Sequence, residues 1–125
     1  MSPKNGLISI VDDDLSMSRM LNRVMSALGF EVRSFGSAEE FLQSHALAES
    51  DCLILDVNLP GMSGVDLQRE LNDSGPAIPI VFISAQADDA TKRLAIEAGA
   101  AGFFSKPFKI EALLATVRTV NSAHV

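Results

Sequence analysis

Short apolar runs and longer amphipathic stretches alternate along this chain. Leu7–Val11, Cys52–Asp56, Ile80–Ile83 and Gly102–Phe104 are the short runs, each of the length expected of a buried strand. Between them, apolar residues recur at helical spacing, the βα alternation of a parallel sheet. Met17, Met20, Leu21, Val24 and Leu28 form one helical stripe, which Gly29 ends. Glu31–Phe35 reads as a strand of mixed polarity, and an exposed side of that kind belongs at a sheet edge. Ser37 with Glu40 three residues later is a capping-box signature that opens a short helix through Phe41 and Leu42. A further helix is expected to start near Ser63. Ala90, Leu94, Ala95 and Ala98 make another stripe, closed by Gly99, and Ile110, Leu113, Leu114, Val117 and Val120 make the last. The pattern predicts five strands and five helices. The loosest stretches are residues 1–5, the Ala46–Ser50 connection, Asp73–Pro79 and the tail after Val120. No repeat, low-complexity tract or linker interrupts it, so residues 1–125 read as one domain with an ordered core of about 6–120.

Parallel strands with helices between them are joined by right-handed crossovers, which leaves few layouts. The flavodoxin-like doubly wound α/β order 2-1-3-4-5 puts the polar second strand and the short fifth at the edges, as the pattern asks. In such sheets ligands sit outside the carboxyl ends of the strands, where strands one and three diverge. The chemistry-bearing residues stand at those ends. Strand one runs into Asp12, Asp13 and Asp14, strand three ends in Asp56, strand four in Ser84, and strand five runs into Lys106. Strand two ends only in Phe35-Gly36-Ser37. In the expected order the four decorated strands are contiguous, so their side chains converge on one pocket.

Composition narrows the field of functions. At 125 residues folding buries roughly two-thirds of the unfolded chain's surface, enough to need no staples. Ten Lys+Arg against sixteen Asp+Glu leave a net charge of -6 and a pI near 4.7, the wrong sign for gripping nucleic-acid phosphates. Cys52 is the only cysteine, which excludes an intramolecular disulfide and a cysteine-based zinc cluster. No apolar run reaches membrane-spanning length, and no signal-peptide core precedes Leu7. A reducing, cytoplasmic setting is expected. His45 and His124 lie away from the strand ends, and neither reads as a base or metal ligand.

Gathered carboxylates need a cation or raised pKa values. A pair about 4 Å apart at an effective dielectric near 20 repels by roughly 4 kcal/mol, and one lysine cannot balance three such groups. A hard divalent cation suits an all-oxygen donor set. Mg²⁺, which keeps several waters and takes few protein ligands, is the first expectation, with Mn²⁺ second. Beside such an ion Asp56 has an oxygen left to attack phosphorus, and Lys106 helps to neutralise the transferring group. The product is an aspartyl phosphate.

These residues resemble the receiver domains of bacterial two-component response regulators, over essentially the whole chain. The resemblance rests on Ile10-Val11-Asp12-Asp13-Asp14, on Leu53-Ile54-Leu55-Asp56-Val57-Asn58-Leu59-Pro60-Gly61, on Ile83-Ser84-Ala85 and on Lys106-Pro107-Phe108. It implies that Asp13 ligates the metal directly and Asp12 mainly through water, with Asn58 offering its backbone carbonyl. Asp14 is a helix cap or solvated neighbour. Asp56 is the implied phosphoacceptor, Ser84 the switch hydroxyl, and Lys106-Pro107 a cis peptide. Phe103 falls at the switch aromatic, where the family commonly has tyrosine and this chain lacks the hydroxyl. The implied function is a phosphorylation-controlled switch. Asp56 takes a phosphoryl group from a histidine kinase, and the face made by helix four, strand five and helix five then regulates an output. Lys92, Arg93 and Glu97 are expected on that face, and homodimerisation through it is a further expectation. Phe103 and the Ser37-Ala38-Glu39-Glu40-Phe41 helix start resemble receivers joined to helix-turn-helix output domains. Such a domain phosphorylates itself and slowly hydrolyses the product, without acting as a turnover enzyme. Three other readings compete with it. A haloacid-dehalogenase-type phosphohydrolase would want a second Asp at position 58, and the chain lacks room for a cap domain; a protein-interaction module of the same fold would leave the phosphosite unused. A flavodoxin-like cofactor binder would meet repelling carboxylates after strand one.

Overall fold

Strand β1 (Leu7–Val11) is buried along its whole length, and the pleat divides its residues between two layers. Leu7 and Val11 join one apolar cluster, Ile8 and Ile10 the other. The same division runs through β3 (Cys52–Asp56) and β4 (Ile80–Ser84), both fully buried. This is the continuous apolar signature of central parallel strands covered on both faces. The polar strand β2 (Glu31–Phe35) and the short β5 (Gly102–Ser105) are only partly buried and lie at the edges. The sheet is parallel throughout in the order β2-β1-β3-β4-β5, as the pattern of apolar runs predicts. These observations come from a computed structural model of the chain, which describes residues 6–86 and 88–122.

Helices cover both faces. Leu21 and Met25 of α1 (Leu15–Ala27) and Leu113 and Val117 of α6 (Ile110–Ser122) pack on Ile8, Ile10, Ile54 and Val81. On the other face lie α2 (Ala38–Leu42), α3 (Ala46–Glu49), α4 (Gly64–Ser74) and α5 (Asp89–Glu97), whose Ala38, Phe41, Ala46, Leu67, Leu71 and Ala95 meet Leu53, Leu55 and Phe82. Full burial of side chains of this size stabilises by roughly 1.5–3 kcal/mol each. Helix starts follow their expected chemistry. Asp14 caps α1 by accepting from Ser16 N and Met17 N, and Ser63 and Asp66 form a complete capping box on α4.

Four local readings change. The Ala46–Ser50 connection, expected to be loose, holds the one-turn helix α3, closed by Ser50 N donating to Ala46 O at 2.9 Å. Ser50 Oγ also donates to Ala46 O and pairs with the buried Ser9 Oγ, both at 2.6 Å, so a contact distant in sequence defines the turn. The capping box at Ser37 is half formed. Ser37 Oγ accepts from Glu40 N, but the Glu40 carboxylate accepts from Gly36 N instead of Ser37 N. Asp73, Ser74, Asn121 and Ser122 are helical, so the α4–β4 connection is residues 75–79 and α6 outlasts Val120; residues 1–5 and His124 lie outside the described residues. Finally, the stripe on α5 hardly faces the core. Ala95 is its one buried residue, while Leu94 and Ile96 are 60% and 45% exposed.

Candidate functional site

The carboxyl ends of β1, β3, β4 and β5 lie side by side, and each delivers the side chain that the strand ends promise. After β1 the chain turns sharply. Asp12 N still pairs with Phe35 O of β2 at 3.1 Å, while Asp12 Oδ1 accepts from Asp14 N at 2.9 Å. That turn separates three successive aspartates: Asp12 goes inward and is 1% exposed, Asp13 stays exposed, and Asp14 is used up as the cap of α1. Asp56 ends β3, buried, with Oδ1 accepting from Asn58 N at 3.0 Å. Carboxylate oxygens of Asp12, Asp13 and Asp56 all lie within 4.8 Å of one another.

Lys106 reaches this cluster from β5. Its backbone N donates to Ser84 O at 2.7 Å, extending the β4–β5 pairing, and the peptide to Pro107 is cis. The ammonium donates to Asp12 Oδ2 at 2.9 Å and stands 3.6 Å from Asp56 Oδ2. Burial works against the Lys106 charge, but the bond to Asp12 and the charges of Asp12, Asp56 and Asp14 outweigh it and hold its pKa above the ordinary lysine value. Asp12 moves upward as well. Burial of its carboxylate is the main cause and Asp56 adds to it, against the pull of the Asp14 amide and of Lys106.

Ser84, fully buried, closes the rim. Its Oγ accepts from Asn58 Nδ2 at 3.1 Å and from Gln86 N at 3.2 Å. The link from Asn58 to Ser84 has no signal in the local sequence, because it depends on β3 and β4 being neighbours. Behind Ser84, half-buried Phe103 packs on Phe82 with ring centroids 5.9 Å apart, beneath the helical layer that contains α5. Lys92, Arg93 and Glu97 are exposed on α5.

The donor set fits a hard divalent ion. Three carboxylates face one ammonium, so negative charge is in excess, and every ligand atom is oxygen. An exposed Asp13 leaves the side open to water, which suits Mg²⁺ better than an all-protein cage would.

The sequence model of the response regulator receiver domain matches residues 8–118. The chain belongs to that family. Among curated receivers, it is 44% identical over 119 residues to the response regulator protein TmoT of Ectopseudomonas mendocina, covering 95% of this chain and 54% of that protein. It is also 44% identical over 111 residues to Nodulation protein W of Bradyrhizobium diazoefficiens, covering 89% and 49%. The chain thus spans about half the length of the curated relatives it matches. Among solved structures, the response regulator StyR superposes with a TM-score of 0.86 at 38% identity, covering 94% of this chain and 59% of that one. A receiver protein from Pseudoalteromonas atlantica superposes at 0.88 with 26% identity, covering 95% and 99%. Receivers are signalling regulators of two-component systems and not turnover enzymes, and they bind Mg²⁺ in an acidic pocket. The hydrolase reading, which lacked its second acid at Asn58, and the unphosphorylated interaction module are not favoured by these relatives.

Proposed function

We propose that Asp56 is the phosphoacceptor of this receiver, with a divalent ion held by Asp13, Asp56, the Asn58 backbone carbonyl and, mainly through water, Asp12. The observation that carries this reading is the placement of Lys106 Nζ within 3.6 Å of Asp56 Oδ2, in a cluster that keeps an excess of carboxylate. Mg²⁺ supplies charge neutralisation on the transferring phosphoryl group and lowers the repulsion that an approaching phosphate would meet. The Asp56 carboxylate attacks phosphorus. An O–P bond forms as the N–P bond of the kinase's phosphohistidine breaks, and the imidazole leaves. Lys106, freed to turn from Asp12, pairs with the phosphoryl oxygens as a point charge.

Ser84 then turns its hydroxyl hydrogen toward the phosphoryl group. Doing so competes with the bonds from Asn58 Nδ2 and Gln86 N that hold its oxygen in the unphosphorylated state. The β4–α5 connection follows Ser84, and half-buried Phe103 packs into the space released, which alters the face of α5, β5 and α6. Shifting such an equilibrium from 1:99 to 99:1 takes about 5.5 kcal/mol, within reach of a few charge-assisted hydrogen bonds. Exposed Leu94 and Ile96 on α5 support homodimerisation of the phosphorylated form through this face. The length of the relatives supports an effector segment beyond the receiver. Slow hydrolysis of the aspartyl phosphate resets the switch in the cytoplasm.

Beryllofluoride, which imitates the phosphoryl group, tests this reading. A bound fluorine resonance is expected with Mg²⁺, is lost on adding EDTA, and is accompanied by a rise in sedimenting mass. A bound signal that persists without metal, or no signal at all, contradicts it.

A further inference from the structure

Besides the bonds of Asn58 to Asp56 Oδ1 and Ser84 Oγ, the loop that follows Asp56 is fastened at three further places. At its start Val57 N donates to Ile83 O at 3.1 Å, and at its end Gly64 N donates to Val57 O at 3.0 Å. Gly64 is obligatory there, since a Cβ would run into the Asp56 carbonyl oxygen. The tip is held from a different element. Met62 N donates to Glu39 Oε2 at 2.9 Å across 23 residues of sequence. Gly61, at φ +73°, lies against the same carboxylate, so that a Cβ would stand 2.7 Å from Glu39 Oε2. A first-turn glutamate stabilises its helix through the macrodipole wherever its carboxylate points. This one is aimed at the loop, and the Met62 amide holds its carboxyl below the usual glutamate range. The adjacent Glu40 takes Gly36 N and closes the start of α2, so the two glutamates have separate tasks.

We propose that Glu39 is a positioning residue for the divalent-metal site, because it fixes the tip of the loop from which Asn58 offers its carbonyl. The inference rests on the metal-binding reading above. Mg²⁺ requires near-octahedral ligands at about 2.0–2.1 Å, so a backbone ligand on a loop is useful only if the loop is ordered before the ion arrives. Pro60 and Gly61 are exposed and Met62 is only half-buried, and the burial that orders most backbone is thin at this tip. A carboxylate from the first turn of α2 supplies a restraint at the tip without adding a ligand to the site.

The natural chain, Glu39→Ala and Glu39→Gln are titrated with magnesium chloride by amide NMR, and hydrogen exchange at the Met62 amide is measured without metal. Glu39→Ala is expected to speed Met62 exchange and weaken Mg²⁺ binding by roughly tenfold, the lower end for losing a residue that orients a metal ligand. Glu39→Gln keeps an acceptor oxygen and restores most of the affinity, which a general loss of negative charge would not allow. Metal-free thermal midpoints separate this local effect from a global one. Faster Met62 exchange in Glu39→Ala with unchanged Mg²⁺ affinity overturns the inference, as does Glu39→Gln binding as weakly as Glu39→Ala. Absence of Mg²⁺ binding by the natural chain itself overturns the metal reading and this inference together.

Discussion

At Asp12 burial and charge work against each other. The carboxylate is 1% exposed and shares its pocket with two more acids, while Lys106 answers it at 2.9 Å. Repulsion in such a cluster is a few kcal/mol before the lysine offsets it. Asp12→Asn is therefore expected to stabilise the metal-free protein by about 1 kcal/mol at neutral pH, and to lose most of the stabilisation that Mg²⁺ gives the natural chain. The sign of the pH dependence follows from the raised pKa of Asp12. A carboxyl that binds its proton more tightly folded than unfolded gains stability as pH falls through its folded pKa. The advantage of the Asn variant should thus fade in mild acid, and urea midpoints at two pH values with and without Mg²⁺ measure it. A midpoint lower than that of the natural chain at neutral pH would contradict this. Cys52 follows the same sign at alkaline pH. Burial in β3 pushes its thiol up to about 12, whereas an unfolded cysteine ionises near 8.5. Stability from this group is complete below the unfolded pKa and declines by about 1.4 kcal/mol per pH unit between the two values. Thiol labelling at mildly alkaline pH should accordingly proceed only as fast as the protein unfolds. Labelling at the rate of an exposed cysteine would show that the strand opens locally. Individual site residues were legible wherever a strand end announced them: Asp12, Asp13, Asp56, Ser84 and Lys106 meet as the topology requires. Glu39 and the Asn58 side chain were not, since their partners lie 23 and 26 residues away and no local pattern encodes them.

Among the longer helices α1, α4, α5 and α6, α5 buries the fewest residues. One residue, Ala95, is buried, and its carbonyl accepts from the buried Gln68 Nε2 of α4 at 2.9 Å. Asn72 Nδ2 of α4 does the same to Ala98 O, just past the helix, at 2.9 Å. Both bonds lie near the carboxyl-terminal end of α5, whereas its amino-terminal end is capped, among the described residues, by its own Asp88. On the proposed switch, a helix so attached is expected to pivot about its far end. Gln68→Leu keeps the bulk but leaves the Ala95 carbonyl without this partner, and should cost about 1–2 kcal/mol of stability. Amide exchange along α5 should rise more than in β1 or β3, and equal protection of α5 in variant and natural chain would contradict the pivot. The sequence periodicity of α5 predicts a core-facing stripe through Ala90, Leu94, Ala95 and Ala98. Of these only Ala95 is buried and Leu94 is turned out, so apolar spacing locates the helix but not its depth. Helix α3 escaped notice for another reason. One turn carries no periodicity, and Ser9 and Ser50, which secure it, are brought together only by the packed sheet.

For the whole molecule, strand order turns a list of residues into a site. With β2 outside and β1, β3, β4 and β5 adjacent, four unremarkable strand ends become one acidic pocket beside one lysine. That order was readable because central strands are continuously apolar and edge strands are not. The chain belongs to the receiver family and spans about half the length of relatives such as TmoT, and the proposed function has a charge at Asp56 become a change on a distant face. The most direct measurement of that claim is the intact mass of the natural chain and of Asp56→Asn after incubation with acetyl phosphate, with Mg²⁺ and with EDTA. One added phosphoryl group is expected on the natural chain with Mg²⁺, and none with EDTA or on the variant. Equal addition to both chains would remove Asp56 from its role.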